Sequence, residues 1–337
     1  MAEQPLGSGR SAGLDLLRGV AVALVILHHS LPELLPGAGV VGVVMFFALS
    51  GHLITGVLLH DLVTTGRVDL RRFYARRAAR LVPALLVLLV GVVVVTLVMD
   101  PLHDRARLPA TLLMALTWTG DMPFFHGSAA TFHLWTLAVE EQFYLVWPVV
   151  LIVGFARDRT RTALLLVGAL TLAAAGATTW WLAEAPDLAY ALPTSWAVCF
   201  VIGAASRLGA LPQAGRPMVT AAGVTLAILC VVHLRGHVWT YLGGGPLIAV
   251  STVVLITTVG RHRRITPRYL TPLVALGVTS YSAYLWNYPL TVWLRPALGE
   301  VAGVTAAVLT LVVAQLSHRY VELPSQRALN RRWVVRR

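Results

Sequence analysis

Four groups of residues in this chain have the types and spacing to do chemistry inside apolar surroundings. In LDLLRGVAVALVILHHS, Leu14 to Ser30, Arg18 and His29 are eleven residues apart. At about 100° per residue that step returns to within roughly 20° of one helix face, about three turns along. Asp15 falls on the same face, whereas His28 is turned about 100° away from it. An imidazole titrates near neutrality and can take or give a proton, and a guanidinium grips phosphates and carboxylates. In TFHLWTLAVEEQFYLVWP, the spacing of seven places His133, Glu140 and Trp147 on a shared face, with Glu141 turned to the neighbouring side. Adjacent carboxylates so deep in an apolar run are costly unless paired or used. In RRFYARRAARLVPALL, Arg77 and Arg80 stand one helical turn apart just before Pro83, a geometry suited to phosphate. SYSAYLWNYPL adds two tyrosines and Asn287.

Each group also has a plain structural reading. Arg18 can pair with Asp15 at a membrane boundary, the glutamates can pair with arginines to lock a bundle, and tyrosines and asparagines commonly glue helices together. Ser50-Gly51, inside FFALSGHLIT, reads as a small pair that permits close helix approach. Cys199 and Cys230 are isolated in apolar runs with no CxxC, so neither a disulfide framework nor a metal site is expected. No serine has nucleophile-elbow context.

The elements that must position these groups follow from composition. The chain of 337 residues is 57% hydrophobic and 12% charged, with a mean hydropathy of +0.73. Such a sequence cannot clothe a soluble globule and reads as all-α and polytopic in a membrane. At roughly 20 apolar residues per crossing, about ten transmembrane helices are expected, near 13–31, 38–59, 81–99, 133–155, 162–183, 193–209, 217–234, 240–260, 271–294 and 301–319. The first reads as a retained helix and not a signal peptide, because Asp15 and Arg18 stand where an apolar core should begin. Segment 1–12 then precedes a membrane domain at 13–322, and 323–337 forms a basic tail.

All 27 basic residues are arginine. In this arrangement Arg105, Arg107, Arg235 and Arg295 lie on one face and the other 23 on the opposite face, which makes both termini cytoplasmic by the positive-inside rule. The same bias accounts for a net charge of +12 through insertion and contact with anionic membrane lipids, with no nucleic-acid partner. The connection from Pro101 to Thr131 is then external, and its apolar piece, Leu108 to Thr119, is too short to span.

Taken in order, LRGVAVALVILHH, GVVMFFALSGHLIT, FYARRAARLVPA, FHLWTLAVEEQFYLVWP, SYSAYLWNYPL and YVELP resemble the membrane acyltransferase 3 family, whose members place short acyl groups on sugars and related acceptors. The resemblance runs from Leu17 to Pro324. It implies that the family's helix-one histidine is His29 and its helix-one arginine Arg18, that the RxxR pair is Arg77 and Arg80, and that the acidic motif is Glu140 and Glu141. It also implies an acyl-CoA donor, acetyl-CoA in the first instance. The chain departs from the pattern at Val44, Thr136, Asn287 and Leu323; an asparagine in place of the ninth-helix histidine can orient a substrate but cannot titrate.

The reading that follows is a multi-pass acyltransferase of a bacterial plasma membrane. His29, Glu140 and Glu141 are its catalytic candidates, with Glu140 orienting or stabilising the His29 imidazole. Arg18, Arg77 and Arg80 are its donor-binding candidates, and His133, Trp135, Tyr284 and Asn287 its acceptor-binding candidates. The acceptor would be a sugar, glycolipid, cell-wall glycan or secondary metabolite, and no metal is called for. A multi-span proton-coupled transporter is the alternative, since ionisable residues within spans also mark ion pathways.

Overall fold

An apolar segment in lipid can satisfy its own amides only as a helix or a closed barrel. The computed structural model describes residues 11–122, 126–209, 214–265 and 267–334, and these form helices and turns with no strand among them. Arg10, Arg336, Arg337 and most of segment 1–12 lie outside the described residues. In chain order the helices are α1 (Ala12–Ser30), α2 (Ala38–Thr65), α3 (Leu70–Val98), α4 (Leu108–Thr117), α5 (Trp135–Ala156), α6 (Thr160–Trp181), α7 (Pro193–Ala205), α8 (Arg216–Cys230), α9 (Gly245–Thr258), α10 (Thr271–Val278), α11 (Ser280–Leu298), α12 (Ala302–Ser317) and α13 (Leu323–Val334).

Among the described residues seven stretches are long and apolar enough to cross a membrane, and the last of them, Ser280–Arg331, contains α11 and α12 in succession. The shorter apolar helices α7 and α8 lie where the sixth and seventh spans are expected. Large apolar side chains face outward along α3, α6 and α12: Val98 is 74% exposed, Leu165 71% and Val308 61%. A bundle that turns such side chains outward has lipid as its solvent, and the protein is a multi-pass membrane protein.

Four local features alter the sequence-based reading. Asp69 caps α3, its side chain accepting from the Arg72 amide at 2.9 Å. The helix therefore begins at Leu70, well before the span expected near 81–99, and Arg71 to Arg80 lie in its first turns. A 3-10 turn, Ala129–Leu134, precedes α5. His133 and Leu134 lie in this turn, so α5 proper begins after His133. The expected span 271–294 is divided at Thr279 into α10 and α11. The expected tail is helical as far as Val334, entered through a π-turn at His318–Glu322, and α13 packs on α3.

Close packing brings the functional helices together. A Cβ at Gly19 would strike the Leu273 carbonyl and one at Gly277 the Asp15 carbonyl, so α1 and α10 meet backbone to backbone. Gly51 and Gly203 join α2 to α7 in the same way. The core beside these crossings is aromatic: Phe200 stacks on Phe47 at 4.5 Å and on Phe143 at 4.6 Å.

Candidate active site

α1, α2, α3, α5 and α11 enclose a cavity of about 110 Å³. Arg18, Arg77, Arg80 and Glu140 line it, with Ser50, Thr136, Tyr144, Ser280, Tyr281 and Tyr284. The charges within it are unequally engaged. Arg77 Nε donates to Glu141 Oε1 at 3.1 Å, and the Arg77 guanidinium lies 3.0 Å over the Tyr144 ring. Glu140 Oε1 accepts from Ser50 Oγ at 2.7 Å. Among the described residues Arg18 and Arg80 form no ion pair. Ser280 Oγ is buried there with no hydrogen-bond partner among the described residues.

The second polar group lies farther along α1. His29 Nδ1 is 2.7 Å from Asn287 Oδ1, and Asn287 Nδ2 donates to Thr310 Oγ1 at 3.2 Å. Thr310 Oγ1 gives its own proton to the Ala306 carbonyl at 2.6 Å. The hydroxyl must therefore accept from Asn287, which directs the amide oxygen at His29. That oxygen can only accept, so the neutral imidazole carries its proton on Nδ1 and keeps a lone pair on Nε2. His28 is engaged otherwise, its Nδ1 donating to the Leu35 carbonyl at 3.0 Å.

A row of rings joins the two groups. Tyr284 hydrogen-bonds Thr136 at 2.7 Å and donates to the His133 carbonyl at 3.1 Å. The His133 ring is 5.6 Å from that of Tyr284 and 5.3 Å from that of Tyr288, which is 5.1 Å from His29. His133 Nε2 donates to the Leu285 carbonyl at 3.1 Å, and its buried Nδ1 has no partner.

The structure thus brings Arg18, Arg77, Arg80, Glu140 and Tyr284 to one cavity, and His29 and Asn287 to one relay. Glu140 is not the partner of His29. Glu140 accepts from Ser50, and the group hydrogen-bonded to His29 is Asn287. Glu141 serves Arg77. Trp135 is 2% exposed and packs among Phe47, Tyr190 and Trp196, lining neither the cavity nor the relay. Ser50, read as a packing residue, binds Glu140. Tyr144 and Thr310 were missed: Tyr144 follows Glu140 by one turn and was within reach of helical spacing, whereas nothing local marks Thr310 as the support of Asn287. Among the described residues no cluster of three metal-ligating side chains occurs.

Residues 11–317 match the acyltransferase domain model Acyl_transf_3. The chain is 29% identical to the peptidoglycan O-acetyltransferase OatA of Listeria monocytogenes over 92% of its own length and 55% of the relative's. It is 28% identical to the O-acetyltransferase OatA of Staphylococcus aureus over 93% of its own length and 56% of the relative's. It therefore spans about half the length of the curated relatives it matches. No solved structure matches.

Proposed function

This chain belongs to the acyltransferase 3 family, and we propose that it transfers an acetyl group from acetyl-CoA to a hydroxyl of a cell-wall glycan. The observation that carries the chemistry is the His29 imidazole, held by Asn287 with its Nε2 lone pair free to accept a proton. Family membership and the two acetyltransferase relatives carry the choice of acyl transfer over transport.

The inner cavity fits the donor by charge. Coenzyme A is polyanionic at one end, and Arg18 and Arg80 offer guanidinium groups that form no salt bridge among the described residues. Ser280 Oγ supplies a further hydrogen bond. Arg77, bound to Glu141 and stacked on Tyr144, holds α3 against α5 and shapes the cavity wall. Ten spans with both ends cytoplasmic, the topology drawn from the arginine pattern, would open this cavity to the compartment that supplies coenzyme A.

The thioester then lies along the row from Tyr284 to Tyr288, with its carbonyl toward His29. His29 Nε2 removes the acceptor's hydroxyl proton as the oxygen attacks the thioester carbonyl carbon. A carbon–oxygen bond forms, the carbon–sulfur bond breaks, and the coenzyme A thiolate takes up the proton from the imidazolium. Asn287, by accepting from Nδ1–H, steadies the charge that develops on the ring.

The test is transfer by the purified chain in lipid nanodiscs, supplied with acetyl-CoA labelled in its acetyl group and with a peptidoglycan fragment. Label in an alkali-labile ester on the glycan is expected. Hydrolysis of acetyl-CoA unaffected by glycan, or no reaction with either, rejects the proposal. A reporter in the loop after Pro101 should read as external and one after Arg337 as cytoplasmic; the reverse would place the donor cavity on the wrong side.

A further inference from the structure

The positive-inside rule accounts for 23 of the arginines and leaves four that need another reason to exist. One, Arg105, has a structural role: it pairs with Asp100 at 3.2 Å and donates to the last carbonyls of α3. Two others, Arg107 and Arg235, line one cavity of about 380 Å³ whose described walls come from α4, residues 120–122 and 126–134 and the turn at Pro186–Ala191. All of these segments lie in connections that the arginine pattern makes external, and a volume of several hundred cubic ångströms is of small-molecule size.

This cavity has the features of a site built for a neutral ligand rich in hydroxyls. Asp121, 1% exposed, lines it. Asp121 Oδ2 accepts from Gln142 Nε2 at 2.8 Å, while Oδ1 is buried with no hydrogen-bond partner among the described residues. A buried carboxylate oxygen left unpaired costs free energy that a donor hydroxyl would recover. On the same wall Arg235 Nε donates to Asp187 Oδ1 at 3.3 Å, with both side chains more than half exposed. An exposed pair of this kind is weak and opens readily to a ligand that gives a hydrogen bond to the carboxylate and takes one from the guanidinium. The Arg235 guanidinium lies 4.7 Å over the Tyr190 ring and 5.6 Å over that of Phe132, which hold it in place. The walls are pinned as well, the Ser128 amide donating to Thr111 Oγ1 at 2.7 Å.

Charge decides the class of ligand. Two arginines face two aspartates here, so the cavity has no excess charge with which to select an anion, in contrast to the arginine cluster of the inner cavity. Paired charges, one orphaned carboxylate oxygen and a ring edge at Phe132 match alternating hydroxyls and an apolar sugar face. Position agrees with composition: Phe132 lines the cavity, its ring is 6.4 Å from that of Tyr288, and Tyr288 is 5.1 Å from His29. We propose that this outer cavity is a saccharide-binding subsite, with Asp121 and Arg235 as its recognition residues, that presents a glycan hydroxyl toward His29. The inference rests on the acetyl-transfer reading for its purpose and on the cavity alone for its ligand.

Saturation-transfer NMR on the full chain in nanodiscs, with N-acetylglucosamine tetramer as the probe and no donor present, tests binding by itself. Saturable binding is expected, with the dissociation constant raised at least tenfold by Asp121→Ala and, separately, by Arg235→Ala at its exposed position, and unchanged by Arg80→Ala in the inner cavity. Equal affinity in the parental protein and both outer variants, absence of saturable binding by the parental protein, or displacement of the tetramer by inorganic phosphate would overturn the inference. Failure of the acetyl-transfer reading shows differently: the tetramer binds and depends on Asp121, yet no ester forms when acetyl-CoA is added.

Discussion

The cavity at Arg18 and Arg80 and the relay at His29 are both built on α1 and α11, yet their polar groups are arranged in opposite ways. The cavity holds formal charges of which some are paired and others left open. In the relay neutral groups are tied one to the next, from His29 through Asn287 and Thr310 to the Ala306 carbonyl. Open cations suit a ligand that arrives with its own negative charge, because binding then supplies what the protein lacks. A neutral relay suits a proton acceptor, because a fixed carboxylate or guanidinium beside the imidazole would bias its protonation before the substrate arrived. One helix thus carries two environments, and the eleven residues between Arg18 and His29, about 16 Å of rise, keep them apart.

The most severe way to break this division is to remove the imidazole. His29→Ala should lower the transfer rate by about 10²- to 10⁴-fold, the range of a positioned general base, with the affinity for acetyl-CoA within twofold of the parental value. His28→Ala, which loses only a bond to the Leu35 carbonyl, should be mild. Near-parental turnover by a folded His29→Ala protein would reduce the relay to helix packing. Asn287→Ala comes next. It removes the acceptor for Nδ1–H, a buried hydrogen bond whose loss costs about 1–3 kcal/mol, so the rate should fall roughly 5- to 150-fold while donor affinity again holds. A change in donor affinity larger than the change in rate would mean that the two regions are one site.

Arg80→Ala attacks the other side of the division. A charge-assisted hydrogen bond is worth about 1.5–3 kcal/mol, so the dissociation constant for coenzyme A should rise roughly tenfold or more, with the rate at saturating donor little changed. Arg77→Ala serves as the contrast. Its guanidinium is committed to Glu141 and Tyr144, so its loss should appear chiefly as a lower melting temperature. If Arg77→Ala weakens coenzyme A binding more than Arg80→Ala does, the assignment of open and closed cations is reversed.

Much of this arrangement was legible in the sequence. The apolar runs located the helices because only a helix satisfies its backbone in lipid. Arg18, Arg77, Arg80 and Glu140 stand out because charges in such runs are rare, and the structure brings those four together. What sequence spacing could not carry was the pairing across helices. Glu140 was assigned to His29 from residue type and depth alone, whereas across the helices its carboxylate meets Ser50 and the imidazole meets Asn287. Likewise the span boundary near residue 81 came from hydropathy, whereas the Asp69 cap starts the helix at Leu70. Ser50 was taken as packing because a hydroxyl beside a glycine has that role in many bundles, and only the approach of α5 supplies Glu140 as its partner. The outer cavity had no linear signature at all, since its walls come from segments up to 128 residues apart, from Arg107 to Arg235.

The finest test of the comparison is Thr310, which touches neither ligand. Its hydroxyl accepts from Asn287 Nδ2 and donates to the Ala306 carbonyl, and that directionality fixes the amide. Valine keeps the branched shape and removes the hydroxyl. With no acceptor for its amino group, Asn287 can turn over and offer N–H to His29, which would move the imidazole proton to Nε2 and leave no lone pair for the substrate hydroxyl. A neutral hydrogen bond of about 1 kcal/mol corresponds to a loss of roughly fivefold in rate for Thr310→Val, with donor affinity constant. The effect should be conditional. In an Asn287→Ala background there is no amide left to orient, and Thr310→Val should then cost nothing further. Additive losses in that double variant would show that Thr310 acts through the packing of α12 and not through the tautomer of His29.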